Sequence, residues 1–295
     1  ILDDISLLRQ LAPGMEKQEA VLFEPENAYR TQVRGTISRL SAYYYLQEKP
    51  ESLKIEILDT EEKVVKTFDK IEPNKGLNLF TWDLTYEAPE KIKDAIISLS
   101  YTGGPKAVPG TYKVRLTNEE KILTQNFEIL KDPRWDDIAN SDLKEQFELQ
   151  TDVGQKFSRS HELIKKVRDI REQVQGISSR AVSAGYSEEI KNAASELTAK
   201  LTSLEQDLIQ TKNESSQDPI NYEVKLDNQL AYLYSAIHAQ DSKSTESIYQ
   251  RYADLDKQLS AAEETYNELK ENDLAAFAKL LEENNIPRII INLKK

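Results

Sequence analysis

Histidine, the side chain most often used to move protons or hold a metal near neutral pH, occurs twice in this chain, as His161 and His238. Each lies on or beside an apolar stripe, and neither has a second histidine at metal-ligand spacing. A di-metal site in a helical bundle needs Glu-x-x-His pairs from two helices, and Glu162 and Glu196 do not supply that spacing. Both histidines are therefore expected as buried or boundary residues. Acidic residues cluster as Asp3-Asp4, Glu61-Glu62, Asp136-Asp137 and Glu263-Glu264, in turns or on wet faces. Glycoside hydrolysis needs two carboxyl groups facing each other about 5–9.5 Å apart, and neighbouring acids on a turn do not provide that. The serines come without a nucleophile-elbow motif, and no Gly-rich phosphate loop occurs. No catalytic residue, metal site or cofactor is expected.

What remains is aromatic. Tyr43-Tyr44-Tyr45 lies in an extended run, where alternation puts Tyr43 and Tyr45 on one face and Tyr44 on the other. With Trp82, Tyr86 and Tyr101, such a face can stack on sugar rings or anchor a protein partner. The opposing reading is that these rings build the core and edge of a sheet. Tyr43, Tyr44, Tyr45 and Trp82 are the candidate ligand-binding residues. Asn213-Glu214-Ser215 fits the glycosylation pattern, one that is common by chance.

Two regimes of hydrophobic periodicity must position these residues. The densest strand signal is 76–84 (GLNLFTWDL), read with 108–116 (VPGTYKVRL), where Tyr112, Val114 and Leu116 recur at period two. Around them, 20–23, 29–33 and 41–47 read as short strands. Leu53, Ile55 and Ile57 alternate with Lys54 and Glu56, as in a sheet with one wet face. The run 64–68 returns as a hairpin, 96–101 reads as a further strand, and 112–117 with 122–130 closes the set. Seven to nine short strands predict a β-sandwich.

After the hinge Lys131-Asp132-Pro133-Arg134 the period becomes helical. Ser141 is the expected N-cap, with Asp142 in the first turn. A first helix carries Leu143, Phe147, Phe157, Ile164, Val167, Val174 and Ile177, interrupted by Gln150 and His161. A second carries Ile190, Ala194, Leu197, Leu201, Leu204 and Leu208. A third carries Leu226, Leu230, Leu233 and Ile237, and a fourth Ile248, Tyr252, Leu255, Leu259, Ala262, Tyr266 and Leu269. Four amphipathic stripes joined by short loops predict an antiparallel four-helix bundle. A short helix at 273–284 and a β-prone tail at 289–291 complete the chain. The fold class is thus α+β and multidomain.

Length and composition agree with this reading. A chain of 295 residues, 39% hydrophobic and 31% charged, has room for about two cores. No run of about 18 apolar residues occurs, so no membrane span is expected. The net charge of −12 falls mainly after Arg134 and repels a phosphate backbone, so no nucleic-acid partner is expected. Cysteine is absent, which excludes disulfides and thiolate metal sites and fits any compartment. The first residues, Ile1-Leu2-Asp3-Asp4, lack Met and a signal peptide and enter an apolar run. This start predicts excision from a longer parent chain.

The run LKIEILDTEEKVVKTF, then GLNLFTWDL, then AVPGTYKVRL resembles the immunoglobulin-like domain of flagellar hook-capping proteins. With ILDDISLLRQ upstream, and KDPR, a bundle and DLAAFAKLLEENNIP downstream, the whole chain resembles something narrower. That is the C-terminal region of secreted bacterial proteins bearing sortilin-like or BNR (Asp-box) β-propellers, often labelled glycosyl hydrolases. The resemblance implies three segments: 1–19 as the exit from a propeller, 20–134 as an immunoglobulin-like sandwich of the hook-capping type, and 135–295 as a helical bundle with a short C-terminal helix and tail. It also implies export to the periplasm, cell surface or medium, and any hydrolase activity would reside on propeller loops outside this sequence. The expected function is a non-catalytic accessory region that supports the upstream propeller and binds a protein or glycan. The alternatives are a carbohydrate-binding module using the Tyr43-Tyr44-Tyr45 run and Trp82, and part of a hydrolase whose active site lies in the propeller.

Overall fold

Alternating side chains generate two β-sheets, and the residues on their inner faces collect into one apolar cluster. The computed structural model describes residues 5–31, 38–183 and 188–286. The chain divides into two units, each assembled from separate stretches. The first comprises Ile1–Ala88, Gly103–Gln150 and His238–Ser244, the second Pro89–Thr102, Thr151–Ile237 and Thr245–Lys295.

In the first unit, the chain opens on a short helix α1 (Ser6–Gln10). The strands are β1 (Ala20–Leu22), β2 (Ala28–Arg30), β3 (Leu40–Leu46), β4 (Leu53–Leu58), β5 (Val64–Phe68), β6 (Gly76–Trp82), β7 (Gly110–Asn118) and β8 (Lys121–Lys131). One sheet has the order β1-β3-β6, the other β2-β8-β7-β4-β5. All pairings are antiparallel except β2 with β8. The shared cluster takes Leu22, Leu40, Tyr44, Leu46 and Trp82 from the first sheet and Ile55, Ile57, Tyr112, Val114, Leu116 and Phe127 from the second. On the other face of β4, Glu56 lies opposite Arg115 in register and pairs with it at 2.9 Å.

The expected strand at 96–101 is irregular instead. Its cause lies in the connection from β6 to β7. Residues 83–86 and 105–107 run as an antiparallel stub, with Tyr86 N–H donating to Pro105 O and Ala107 N–H to Leu84 O. A Cβ on Gly104 would sit 1.7 Å from Tyr86 O, so only glycine fits there. The stub pinches off Pro89–Thr102, whose backbone bonds go to helices of the second unit. At the foot of β7, Tyr112 Oη donates to Val108 O at 2.9 Å.

The second unit is helical: α2 (Asn140–Ser183, of which Thr151 onward belongs here), α3 (Glu188–Leu208), α4 (Leu226–His238, to Ile237 here), α5 (Glu246–Glu268) and α6 (Ala275–Glu283). The first turn of α2 is held by Asp142 rather than Ser141: its Oδ2 accepts Ala139 N–H at 3.1 Å. Where two separate helices were expected near the C-terminus, α5 continues through a π turn, Leu269–Leu274, into α6. No Gly or Pro stands there to stop it, and the π turn sets Leu269, Leu274, Phe277 and Leu281 into buried positions. Arg168 and Arg171 of α2 both pair with Glu205 of α3, and Lys156 of α2 pairs with Asp256 of α5 at 2.6 Å. The tail at 289–291 lies outside the described residues.

Candidate functional site

The pleat of β3 sorts the tyrosine triplet. Tyr44 joins Leu40, Ala42 and Leu46 in the core at 2% exposure, while Ser41, Tyr43 and Tyr45 face outward, partly exposed. Trp82, at 1% exposure, is also core: its Nε1 donates to Thr85 O at 2.8 Å and its ring meets Tyr112 and Phe127. Tyr44 and Trp82 therefore offer no ring face to a ligand, a correction to the four-residue candidate site. Trp82 carries the largest apolar surface in that sheet, and burial outweighs display.

Tyr43 and Tyr45 remain, and the sheet register gives them neighbours that the sequence did not single out. Leu79 lies opposite Tyr43, and Leu77 and Val21 flank Tyr45. Leu77 and Leu79 are half exposed, at 52% and 51%. The alternation of β6 signals this: with Phe80 and Trp82 inward, Leu77 and Leu79 must point out. The outer face of the three-stranded sheet is thus apolar and aromatic along two strands.

At one end of this face is a cleft of about 160 Å³, lined by Tyr43, Ser41 and Arg39 of the β3 segment, Glu24 and Glu26 after β1, and Gln10 of α1 among others. Gln10 fixes that wall, donating from Nε2 to Glu24 O at 2.9 Å and accepting Glu24 N–H at Oε1 at 2.8 Å. Arg39 and Glu26 are exposed, and their side chains are free among the described residues.

The histidines do not join this cleft. In the second unit, His161 is 1% exposed and packs edge-on against Phe157. Its Nδ1 accepts Ile92 N–H at 3.5 Å, and burial lowers its pKa to about 4, with Lys165, Lys91 and Arg168 adding to the shift. In the first unit, His238 is lowered to about 4 by burial and by Lys106. Beside it, buried Arg30 donates to Asp241 Oδ1 at 2.7 Å, Gln146 Oε1 at 2.6 Å and Ala107 O at 3.1 Å. Lys106 reaches the same Asp241 at 3.2 Å, and burial lowers its pKa. Among the described residues, no group of three or more His, Cys, Asp or Glu is placed to hold a metal, and no helix is long and apolar enough to cross a membrane.

No family model matches the chain, and no curated protein does. Among solved structures the chain is similar to a biofilm associated protein, BSP domain, at 16% identity and a TM-score of 0.23. That match covers 37% of this chain and 15% of the other. So slight a likeness assigns neither fold nor function.

Proposed function

We propose that this chain is a non-catalytic interaction region of an exported β-propeller protein, built as an immunoglobulin-like sandwich and a four-helix bundle. The observation that carries the binding role is the outer face of the β1-β3-β6 sheet, where Val21, Tyr43, Tyr45, Leu77 and Leu79 sit together partly exposed. Apolar side chains grouped on one open sheet face are the usual mark of a contact surface. The face would receive a protein or a glycan.

Three features support the immunoglobulin-like reading. The strand orders β1-β3-β6 and β2-β8-β7-β4-β5 fit its two sheets, with the chain switching sheets after β1. The parallel pairing of β2 with the last strand fits as well. The Tyr112–Val108 bond has the form of a tyrosine corner. Ion pairs from α2 to α3 and to α5 support the bundle. The parent propeller and export rest on the sequence resemblance alone.

The test is the mass of the native protein in separated cytoplasmic, envelope and secreted fractions. A species much larger than 33.8 kDa outside the cytoplasm is expected. A species of about this size confined to the cytoplasm would overturn the parent-chain reading. Turnover of a glycan or peptide by the isolated chain, abolished by a point substitution, would overturn the non-catalytic role.

A further inference from the structure

We infer that the cleft at Tyr43 is a subsite for one pyranose ring of a neutral glycan, an inference that rests on reading the outer sheet face as the binding surface. Size is the first argument. At about 160 Å³ the cleft falls below the roughly 300 Å³ at which pockets begin to take drug-sized ligands, and a single sugar ring suits it better than a helix face or a lipid chain.

Lining is the second. A pyranose presents an apolar C–H face and a rim of hydroxyls, each both donor and acceptor. Tyr43 supplies a partly exposed ring for the face. Around it, the Glu26 carboxylate accepts, the Arg39 guanidinium donates, and the Ser41 hydroxyl does either. Neither Arg39 nor Glu26 is committed to another side chain among the described residues, so both can turn to hydroxyls without breaking an existing bond. The wall is already built, because the paired bonds between Gln10 and the Glu24 backbone hold α1 against the turn after β1. A preformed wall reduces the ordering cost of binding.

Charge decides between sugars. Glu24 and Glu26 face a single Arg39 in the cleft, and the chain carries −12 overall. That field disfavours uronates, sialic acids and phosphorylated or sulfated glycans.

The experiment is isothermal titration of the full chain with cellohexaose, xylohexaose, mannohexaose, maltohexaose and tetragalacturonate. Expected is binding of at least one neutral oligosaccharide with a Kd of about 1 mM or tighter, and none of tetragalacturonate. Tyr43→Ala should weaken that binding about tenfold or more, Tyr43→Phe should retain it, and Arg39→Ala should weaken it. Lys144→Ala, exposed on α2 and outside both the cleft and the outer sheet face, should leave it unchanged. Circular dichroism of each variant establishes folding, and Tyr43→Phe with Arg39→Ala carries the test if Tyr43→Ala does not fold. No neutral sugar bound, equal binding by wild type and the Tyr43→Ala and Arg39→Ala variants, or preference for tetragalacturonate would each overturn the inference. If no sugar binds but a protein partner is captured and then lost on Leu77→Lys/Leu79→Lys substitution, the glycan subsite is wrong and the interaction region stands.

Discussion

Two buried ionisable residues in the helical unit pull its stability in opposite directions with pH. His161 is neutral when folded, because its Nδ1 accepts from Ile92 N–H and burial opposes its charge. Its pKa falls from 6.5 to about 4, so unfolding takes up a proton between those values. The stability it contributes is present above about pH 6.5 and is lost as pH falls toward 4. Asp227, 2% exposed in the first turn of α4, is the reverse case. Burial pushes its pKa from 3.8 to about 7, although Asn228 N–H bonds its carboxylate. Its stability is present below about pH 4 and is lost as pH rises toward 7. Each effect is on the order of 3 kcal/mol, and the two oppose each other across this range. Asp227→Asn should therefore make the urea midpoint fall more steeply than wild type on acidification from pH 6.5 to 4. His161→Gln, which keeps an acceptor for Ile92, should make it rise over the same range relative to wild type. Difference curves from wild type that stay flat across this window would show that neither residue is held as described.

At the scale of elements, the fold turns on how the β6–β7 connection is pinched. Gly104 faces Tyr86 O so closely that any side chain must push the two strands of the stub apart. Gly104→Ala is expected to cost about 1–3 kcal/mol, measured by urea denaturation, whereas Gly14→Ser, at a positive φ but in open space, should cost less. An equal loss at both sites would argue against the close approach. This connection also marks where reading the sequence stops. The strands with period-two patterns were legible because burial on one face writes itself into alternation, as at Leu53, Ile55 and Ile57. The separation of Tyr43 and Tyr45 from Tyr44 was legible for the same reason, but not which of the two faces is outward. Residues 96–101 carry the same composition as a strand, yet strand formation needs a neighbour with free backbone groups. Here Ser98 N–H bonds Asn228 Oδ1 at 2.8 Å and Tyr101 N–H bonds Ser235 Oγ at 3.1 Å. A segment whose amides are claimed by helix side chains cannot pair in a sheet. Nothing local announced those partners, which lie about 130 residues away. The cleft was half legible: Tyr43 stood out, whereas Gln10 and Glu26 join it only through α1 and the turn after β1.

For the whole molecule, the decisive fact is that neither unit is a continuous stretch of chain. A fragment of residues 1–134 would hold all eight strands, but the sheet-bearing unit also includes Asn140–Gln150 and His238–Ser244. Those stretches carry Gln146 and Asp241, which accept from the buried guanidinium of Arg30. A buried cation that loses its anion costs about 3–5 kcal/mol, while replacing the charge by an apolar side chain of similar size removes the penalty. The effect of Arg30→Met should therefore change sign with context. In the full chain it takes the guanidinium from Gln146 and leaves Asp241 to Lys106, and so lowers the urea midpoint followed by circular dichroism. In the 1–134 fragment, where those acceptors are gone, the same substitution removes an unpaired charge and raises the midpoint. A loss in both would mean that Arg30 stabilises the sheets without Asp241, through its bond to Ala107 O and its packed stem. A gain in both would mean that the buried pair costs more than it returns even when complete. Inversion alone identifies the stretches at 140–150 and 238–244 together as what lets β2 end on a buried charge.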